Sequence, residues 1–227
     1  MGLDLGLKYF TKDQNDRAVI YPQFLRLSER KFKKAARRLS KKLVKGAKPQ
    51  SNNYHKARNR CGRVHLKIQR QRKDWASKLA RNVVMSSDIV VYEDLQIANL
   101  VKNHHLAKSI SDASWYQFTQ GLEYYGKIWD KAVVAISPVY TSQDCSNCGQ
   151  RAKKSLSTRT HSCAHCGVEI CRDTNAAINI LKKGMKMLGV EWPHGTSGQE
   201  ESALKKGKRG EKNTSAIDGK LEIVSGL

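Results

Sequence analysis

Leucines at positions 3, 5 and 7 alternate with Asp4, Gly6 and Lys8, which is the two-residue period of a strand with one apolar face. Asp4 therefore points away from the leucines. The polar run Thr11 to Arg17 reads as a hairpin loop leading to a second strand around Ala18 to Tyr21, and a third short strand is expected over Gln23 to Leu27. The period then changes. Phe32, Ala36, Leu39 and Leu43 keep helical spacing, Gly46 to Asn53 interrupts it, and Val64, Ile68, Trp75, Leu79 and Val83 resume it. A helical hairpin is predicted over residues 26–85.

Ile89 to Tyr92 is a short apolar, β-branched run closed by Glu93 and Asp94. It reads as a buried strand with acids at its carboxyl end. Trp115, Phe118, Leu122, Tyr125 and Trp129 fall at steps of three and four, an aromatic stripe that belongs in a core rather than on a base-stacking surface. Ala132 to Ile136 is a further strand ended by Pro138. Ala176, Ala177, Ile180, Leu181 and Leu188 place a last helix against the sheet. The order of strands and helices gives a mixed α/β sheet with helices on its faces. The stretch from Gly189 on is rich in Gly, Ser, Lys and Glu, and a disordered tail is expected over residues 190–227.

Charge narrows the class of partner. The chain of 227 residues holds 42 Lys and Arg against 20 Asp and Glu, a formal net charge of +22. From Val190 onward six basic residues balance six acidic ones, so 36 basic and 14 acidic residues fall in the first 189. Nineteen of the basic residues lie between Arg26 and Lys73 with a single acid, Glu29. A merely solvated face would interleave acids. A span this one-sided points to nucleic acid, and Lys33, Lys34, Arg37, Arg38, Lys41, Lys42, Arg60, Arg63, Lys67 and Arg70 are its candidate contacts. No apolar run approaches the ~20 residues needed to cross a membrane, and a cytoplasmic protein is expected.

Cys145, Cys148, Cys163 and Cys166 form two Cys-x-x-Cys knuckles fourteen residues apart. Two such knuckles close on one tetrahedral Zn²⁺. Four thiolates leave no open position for water or substrate, so this zinc is structural. His161 and His165 lie within the loop and are read as surface groups or as neighbours of the ligands. Cys61 and Cys171 stand apart and are read as reduced thiols.

Asp4, Glu93 and Asp173 sit on the first strand, at the end of a later strand and at the start of the last helix. Three carboxylates converging at one sheet edge cannot all stay ionised without cations, and hard oxygen ligands select Mg²⁺ or Mn²⁺. Two such ions about 3.5–4 Å apart are the apparatus of phosphodiester hydrolysis. Each acid alone also has a plain role: Asp4 as a solvent-facing strand residue, Glu93 as a loop acid, Asp173 as a helix cap.

Gly2-Leu3-Asp4-Leu5-Gly6-Leu7, Val90-Val91-Tyr92-Glu93-Asp94-Leu95, Leu106-Ala107-Lys108-Ser109-Ile110-Ser111-Asp112-Ala113, Thr141-Ser142-Gln143-Asp144-Cys145-Ser146-Asn147-Cys148-Gly149 and Arg172-Asp173-Thr174-Asn175-Ala176-Ala177 occur in this order. Together they resemble the OrfB/TnpB family of transposon-encoded proteins, nearly continuously from residue 1 to about residue 183. The resemblance implies an RNase H-like, RuvC-type nuclease, related to type V CRISPR effectors, with a zinc ribbon inserted before its last helix. It implies a nuclease core over residues 1–139, a ribbon over 140–170 and a final core helix over 171–189. It makes Asp4, Glu93 and Asp173 the catalytic acids. Its members are DNA endonucleases directed by a transposon-derived guide RNA to a target beside a short motif. They are called transposases although strand transfer is not ascribed to them.

Two departures stand out. Where the family commonly has an acid before the arginine of its last motif, this sequence has Cys171. The family's amino-terminal half, with the parts that grip RNA and the target-adjacent motif, has no counterpart, so the resemblance implies an amino-terminally truncated member. The expected activity is metal-dependent DNA cleavage. A catalytically silent nucleic-acid-binding remnant is the alternative, and Mg²⁺-dependent nicking separates the two.

Overall fold

A computed structural model of the chain describes residues 1–152 and 158–191. The expected tail, apart from Val190 and Glu191, lies outside the described residues. Five strands form one sheet: β1 (Gly2–Leu5), β2 (Thr11–Asp13), β3 (Ala18–Val19), β4 (Ile89–Glu93) and β5 (Ala132–Ile136). Their spatial order is β3-β2-β1-β4-β5. The first three run antiparallel, while β4 lies parallel to β1 and β5 parallel to β4. This is the mixed α/β sheet with flanking helices expected from the sequence. Between β3 and β4 lie α1 (Phe24–Ser40) and α2 (Asn52–Met85). Between β4 and β5 lie α3 (Ile97–Leu100), α4 (His104–Ala113) and α5 (Trp115–Ile128). A two-stranded hairpin, β6 (Thr160–Ser162) with β7 (Glu169–Cys171), precedes α6 (Arg172–Met187). No helix among the described residues is long and apolar enough to cross a membrane.

The alternation along β1 and β4 assigns the two faces of the sheet. Leu3, Leu5, Val90 and Tyr92 turn toward α2 and α5 and join a core around Phe10, Phe118 and Leu122. Phe10 meets Trp75 and Phe118 edge to face, with ring centroids 4.7 and 5.1 Å away. The aromatic stripe of α5 is thus core at Trp115, Phe118 and Leu122 and half-buried at Tyr125 and Trp129. Gly2, Asp4, Val91 and Glu93 take the opposite face. There Val91 packs with Ile136, Ile180 and Leu181 under α6.

Two local readings change. The segment expected as a hairpin loop at Thr11 to Arg17 contains β2, whose three residues are all buried although two carry charge. Pairing opposite β1, with Asp4 level with Lys12, decides this rather than composition. The strand expected at Gln23 to Leu27 is instead the start of α1. Gln23 offers no capping side chain, and the carboxylate of Asp112 on α4 accepts from the backbone N–H of Leu25 at 2.9 Å and of Arg26 at 3.3 Å. A cap supplied from α4 leaves no local trace in the sequence.

Asp112 also takes the Arg72 guanidinium at 2.7 Å, and its side chain is 1% exposed. It therefore joins α1, α2 and α4 at the root of the helical hairpin. Beyond that root α1 and α2 hold their own small core of Ala35, Cys61, Val64 and Ile68. The hairpin is an arm with a separate interior. Replacing Asp112 by Ala leaves Arg72 without its counter-charge and two amide groups without an acceptor. The expected loss is about 3 kcal/mol of unfolding free energy, read from the urea midpoint; a loss under about 1 kcal/mol would mean that water substitutes for the carboxylate.

Candidate active site

The register that sets Leu3 beside Tyr92 carries Asp4 level with Glu93 on the α6 face of the sheet. Asp173 enters from above, in the first turn of α6. All three line one cleft of ≈ 280 Å³, together with Lys8, Tyr9, Lys12, Thr141, Arg159 and Arg172. The fold thus brings the three predicted acids to one hollow.

Their electrostatics reflect that crowding. Burial pushes the Asp4 carboxyl well above the ordinary carboxylate range, and the charges of Glu93 and Asp173 push it further. Burial also raises Glu93, which is 7% exposed, while the Thr141 hydroxyl and the charge of Lys183 act the other way. Thr141 donates to Glu93 Oε1 at 2.6 Å. Arg172 donates to Asp173 Oδ1 through Nε and a terminal nitrogen, each at 3.3 Å.

Several cleft residues gave no signal in the sequence. Lys12 stands across the β1–β2 ladder from Asp4, almost wholly buried, with its ammonium 3.0 Å from Cys171 Sγ and 2.8 Å from Asp16. Burial alone would raise the Cys171 thiol. Contact with Lys12 and with the backbone N–H groups of Thr174 and Asp173 leaves it below the usual thiol range instead. Cys171 is therefore a partner of Lys12, not an isolated thiol. Lys8 and Arg159 were equally hidden, because their relevance depends on which loop ends meet.

The four cysteines of the two knuckles converge, with all four sulfurs within 4.8 Å of one another and none in a disulfide. Each knuckle turns on a glycine with positive φ, Gly149 at 76° and Gly167 at 72°. Their N–H groups return to the carbonyls of Cys145 and Cys163, each at 2.9 Å. The backbone N–H of Val168 directed at Cys166, helped by the side chains of Asn147, Cys148 and Cys145, holds that thiol below its ordinary range. His165 is exposed, whereas His161 on β6 is completely buried rather than a surface group, because β6 pairs with β7 across it.

The ribbon is fastened to α6 by two asparagines. Asn175 accepts from the Ser146 N–H at 2.9 Å and donates to the Asp144 carbonyl at 2.8 Å, and Asn179 donates to the carbonyls of Thr141 and Asp144. On the other side Arg172 N–H donates to the Arg159 carbonyl at 2.8 Å, which holds Arg159 at the cleft. Far from this site, all ten candidate nucleic-acid contacts on the arm, from Lys33 to Arg70, are exposed.

A family model described as a probable transposase matches residues 1–104, and one described as Cas12f1-like, TNB domain, matches residues 115–180. Over these two stretches the chain is similar to the OrfB/TnpB family. A relative from Streptomyces pristinaespiralis, named "Putative RNA-guided DNA endonuclease", is 36% identical over 187 residues, covering 82% of this chain and 45% of the relative. "Putative RNA-guided DNA endonuclease InsQ" of Escherichia coli K12 is 31% identical over 206 residues, covering 83% of this chain and 50% of its own. The chain spans about half the length of these curated relatives. Among solved structures, Cas12f1 from a cryo-EM complex with sgRNA and target DNA overlays with a TM-score of 0.48 at 19% identity, over 79% of this chain and 48% of that one.

Crowded carboxylates make the cleft a source of instability when no cation balances them. A carboxyl whose folded pKa exceeds its unfolded one holds more protons in the folded chain. The stability of the folded state therefore falls as pH rises from about 4 through the raised values of Asp4 and Glu93. With divalent ions chelated, Asp4→Asn should melt at a higher temperature than the wild type at pH 7.5, and the difference should shrink toward pH 4. A lower melting temperature for the variant at both pH values would mean that the carboxylate is held by stabilising contacts instead.

Proposed function

We propose that this chain is the nuclease portion of a transposon-encoded, RNA-guided DNA endonuclease, and that it cleaves phosphodiesters with divalent cations held by Asp4, Glu93 and Asp173. One observation carries the reading: three acids from β1, β4 and α6 share a single cleft in which Asp4 is driven toward its neutral form by burial and then by the charges of the other two. The donor set fits Mg²⁺ or Mn²⁺, which are hard cations that take carboxylate oxygens. Bound there, such ions would supply a nucleophilic water at neutral pH and charge compensation at the phosphate.

The chain's own groups supply the rest. Thr141 holds Glu93, and Arg172 holds Asp173, so that each carboxylate keeps one orientation before substrate arrives. Lys8 and Arg159 line the same cleft as the acids and are exposed, placed to receive the phosphates that flank the cleaved bond. The arm supplies non-specific affinity through its cationic surface. By the names of its relatives, the nucleic acids concerned are a target DNA and a guide RNA.

The cysteine cluster is proposed to hold one Zn²⁺ with a structural role. Four sulfurs drawn together by two glycine-turned knuckles complete a tetrahedral set. Purified chain should contain one equivalent of zinc, and stripping it should release the ribbon from α6 and so loosen Arg159. Zinc below about a tenth of an equivalent after expression in zinc-supplemented medium, with Co²⁺ also failing to bind, would refute the assignment.

For the acids, Mn²⁺ binding followed by electron paramagnetic resonance is the first test, because it does not require cleavage. Asp4→Ala and Glu93→Ala should each abolish tight Mn²⁺ uptake. Either of them, or Asp173→Ala, should slow Mg²⁺-dependent nicking of single-stranded DNA by about 100-fold or more. DNA affinity should stay within about twofold, since the arm is untouched. Wild-type chain that binds DNA but takes up no Mn²⁺ would favour the catalytically silent alternative.

A further inference from the structure

The arm carries a hollow that the cleavage reading does not require. Arg38 lies on the last turn of α1 and Lys42 in the turn that follows the helix, and Asn53, Lys56, Ala57 and Arg60 fall at steps of three, one and three on α2. Both sets therefore face the groove between the two helices. The short side chains of Ala35 and Ala57 leave a space of ≈ 140 Å³ there. Two guanidinium groups and two ammonium groups surround it, with an amide beside them and no acid.

Among the described residues none of these four cations takes part in an ion pair. Glu29, the single acid of the span, is already held between Lys33 at 2.8 Å and Lys108 at 2.7 Å. Four like charges around one hollow repel one another, and an anion seated among them removes that cost. Arginine forks grip phosphate oxygens in pairs, while lysines act as point charges. No aromatic ring lines the space, so nothing in it reads a base by stacking.

We infer that this hollow is a defined seat for the phosphodiester backbone of a nucleic acid, distinct from the diffuse positive field of the arm. The inference rests on the reading of the chain as a nucleic-acid-binding protein, but not on the carboxylates, because the arm packs around a core of its own. The seat retains a strand and does not cut it. Its charge comes from α1, the turn after it and α2, and its shape comes from two alanines.

The test uses the full chain, a labelled single-stranded DNA and the RNA of the same sequence, with affinity measured by fluorescence anisotropy across a salt series. Arg38→Glu with Arg60→Glu should weaken binding of at least one of the two strands about tenfold or more. It should also make the slope of log affinity against log salt shallower by about 1.4, the value for two phosphate contacts on a single strand. Arg58→Glu with Lys73→Glu makes the same change of charge on α2, at exposed positions outside both the hollow and the candidate contacts, and should lose less than about threefold. Ala57→Leu fills the space without altering charge and should weaken binding several-fold. Its circular dichroism spectrum should stay unchanged, which separates a filled seat from a damaged helix. Whichever strand loses affinity identifies the backbone that is held.

Equal losses in both double variants, or no loss in Ala57→Leu, would overturn the seat and leave the arm as a diffuse field. Nucleic-acid contact itself would then still stand. If the wild type bound neither strand at low salt, that broader reading would fall as well.

Discussion

The architecture of this chain depends on how closely α6 can lie on the sheet. A β-carbon at Gly2 would come within 2.2 Å of the Ala177 carbonyl oxygen, and one at Gly184 within 2.3 Å of a Val91 methyl. Both positions are glycine because helix and strands touch there backbone to backbone or backbone to side chain. Asp173 begins the same helix, so the contact that seals Val91, Ile180 and Leu181 also lowers a third acid toward Asp4 and Glu93. Asn175 and Asn179, two and six residues further along, bind the first cysteine knuckle. One helix thus sets the cleft and the ribbon at once, and a shift of α6 would disturb both.

That arrangement is costly in isolation and useful with a ligand. Burial raises the pKa values of Asp4 and Glu93, and the neighbouring carboxylates raise Asp4 further, which lowers the stability of the ion-free fold near neutral pH. The arm gathers charge of the opposite sign. Its nineteen cationic residues surround a small apolar core with almost no acid to neutralise them. Under the proposed function both costs would fall when the complementary charge arrives, a divalent cation in one case and a phosphate backbone in the other.

Asp112 lines neither the cleft nor the hollow on the arm. It caps α1, pairs with Arg72 and fixes the angle at which the arm leaves the body. Its presence within one of the five family-like motifs has a structural cause, since a buried carboxylate with three donors is hard to replace. Arg159 and Lys12 show the same indirectness at the cleft, where one is delivered by the ribbon and the other by the β1–β2 ladder.

Periodicity and spacing alone determined the strand at Leu3 and Leu5, the apolar run at β4, the aromatic side of α5, the long basic hairpin and the two knuckles. Each of these is written in neighbouring residues, because alternation, helical repeat and Cys-x-x-Cys geometry act over a turn or a strand length. Tertiary structure alone decided that Gln23 to Leu27 starts a helix, since its cap lies on α4. It also decided that Thr11, Lys12 and Asp13 form a buried strand, since β1 supplies their partners. The fit of Cys171 to Lys12 and the burial of His161 are of the same kind. Hydrogen bonds and charges between residues distant in sequence leave no periodic mark in it, so the acids could be named from the chain, but the groups that orient and flank them could not.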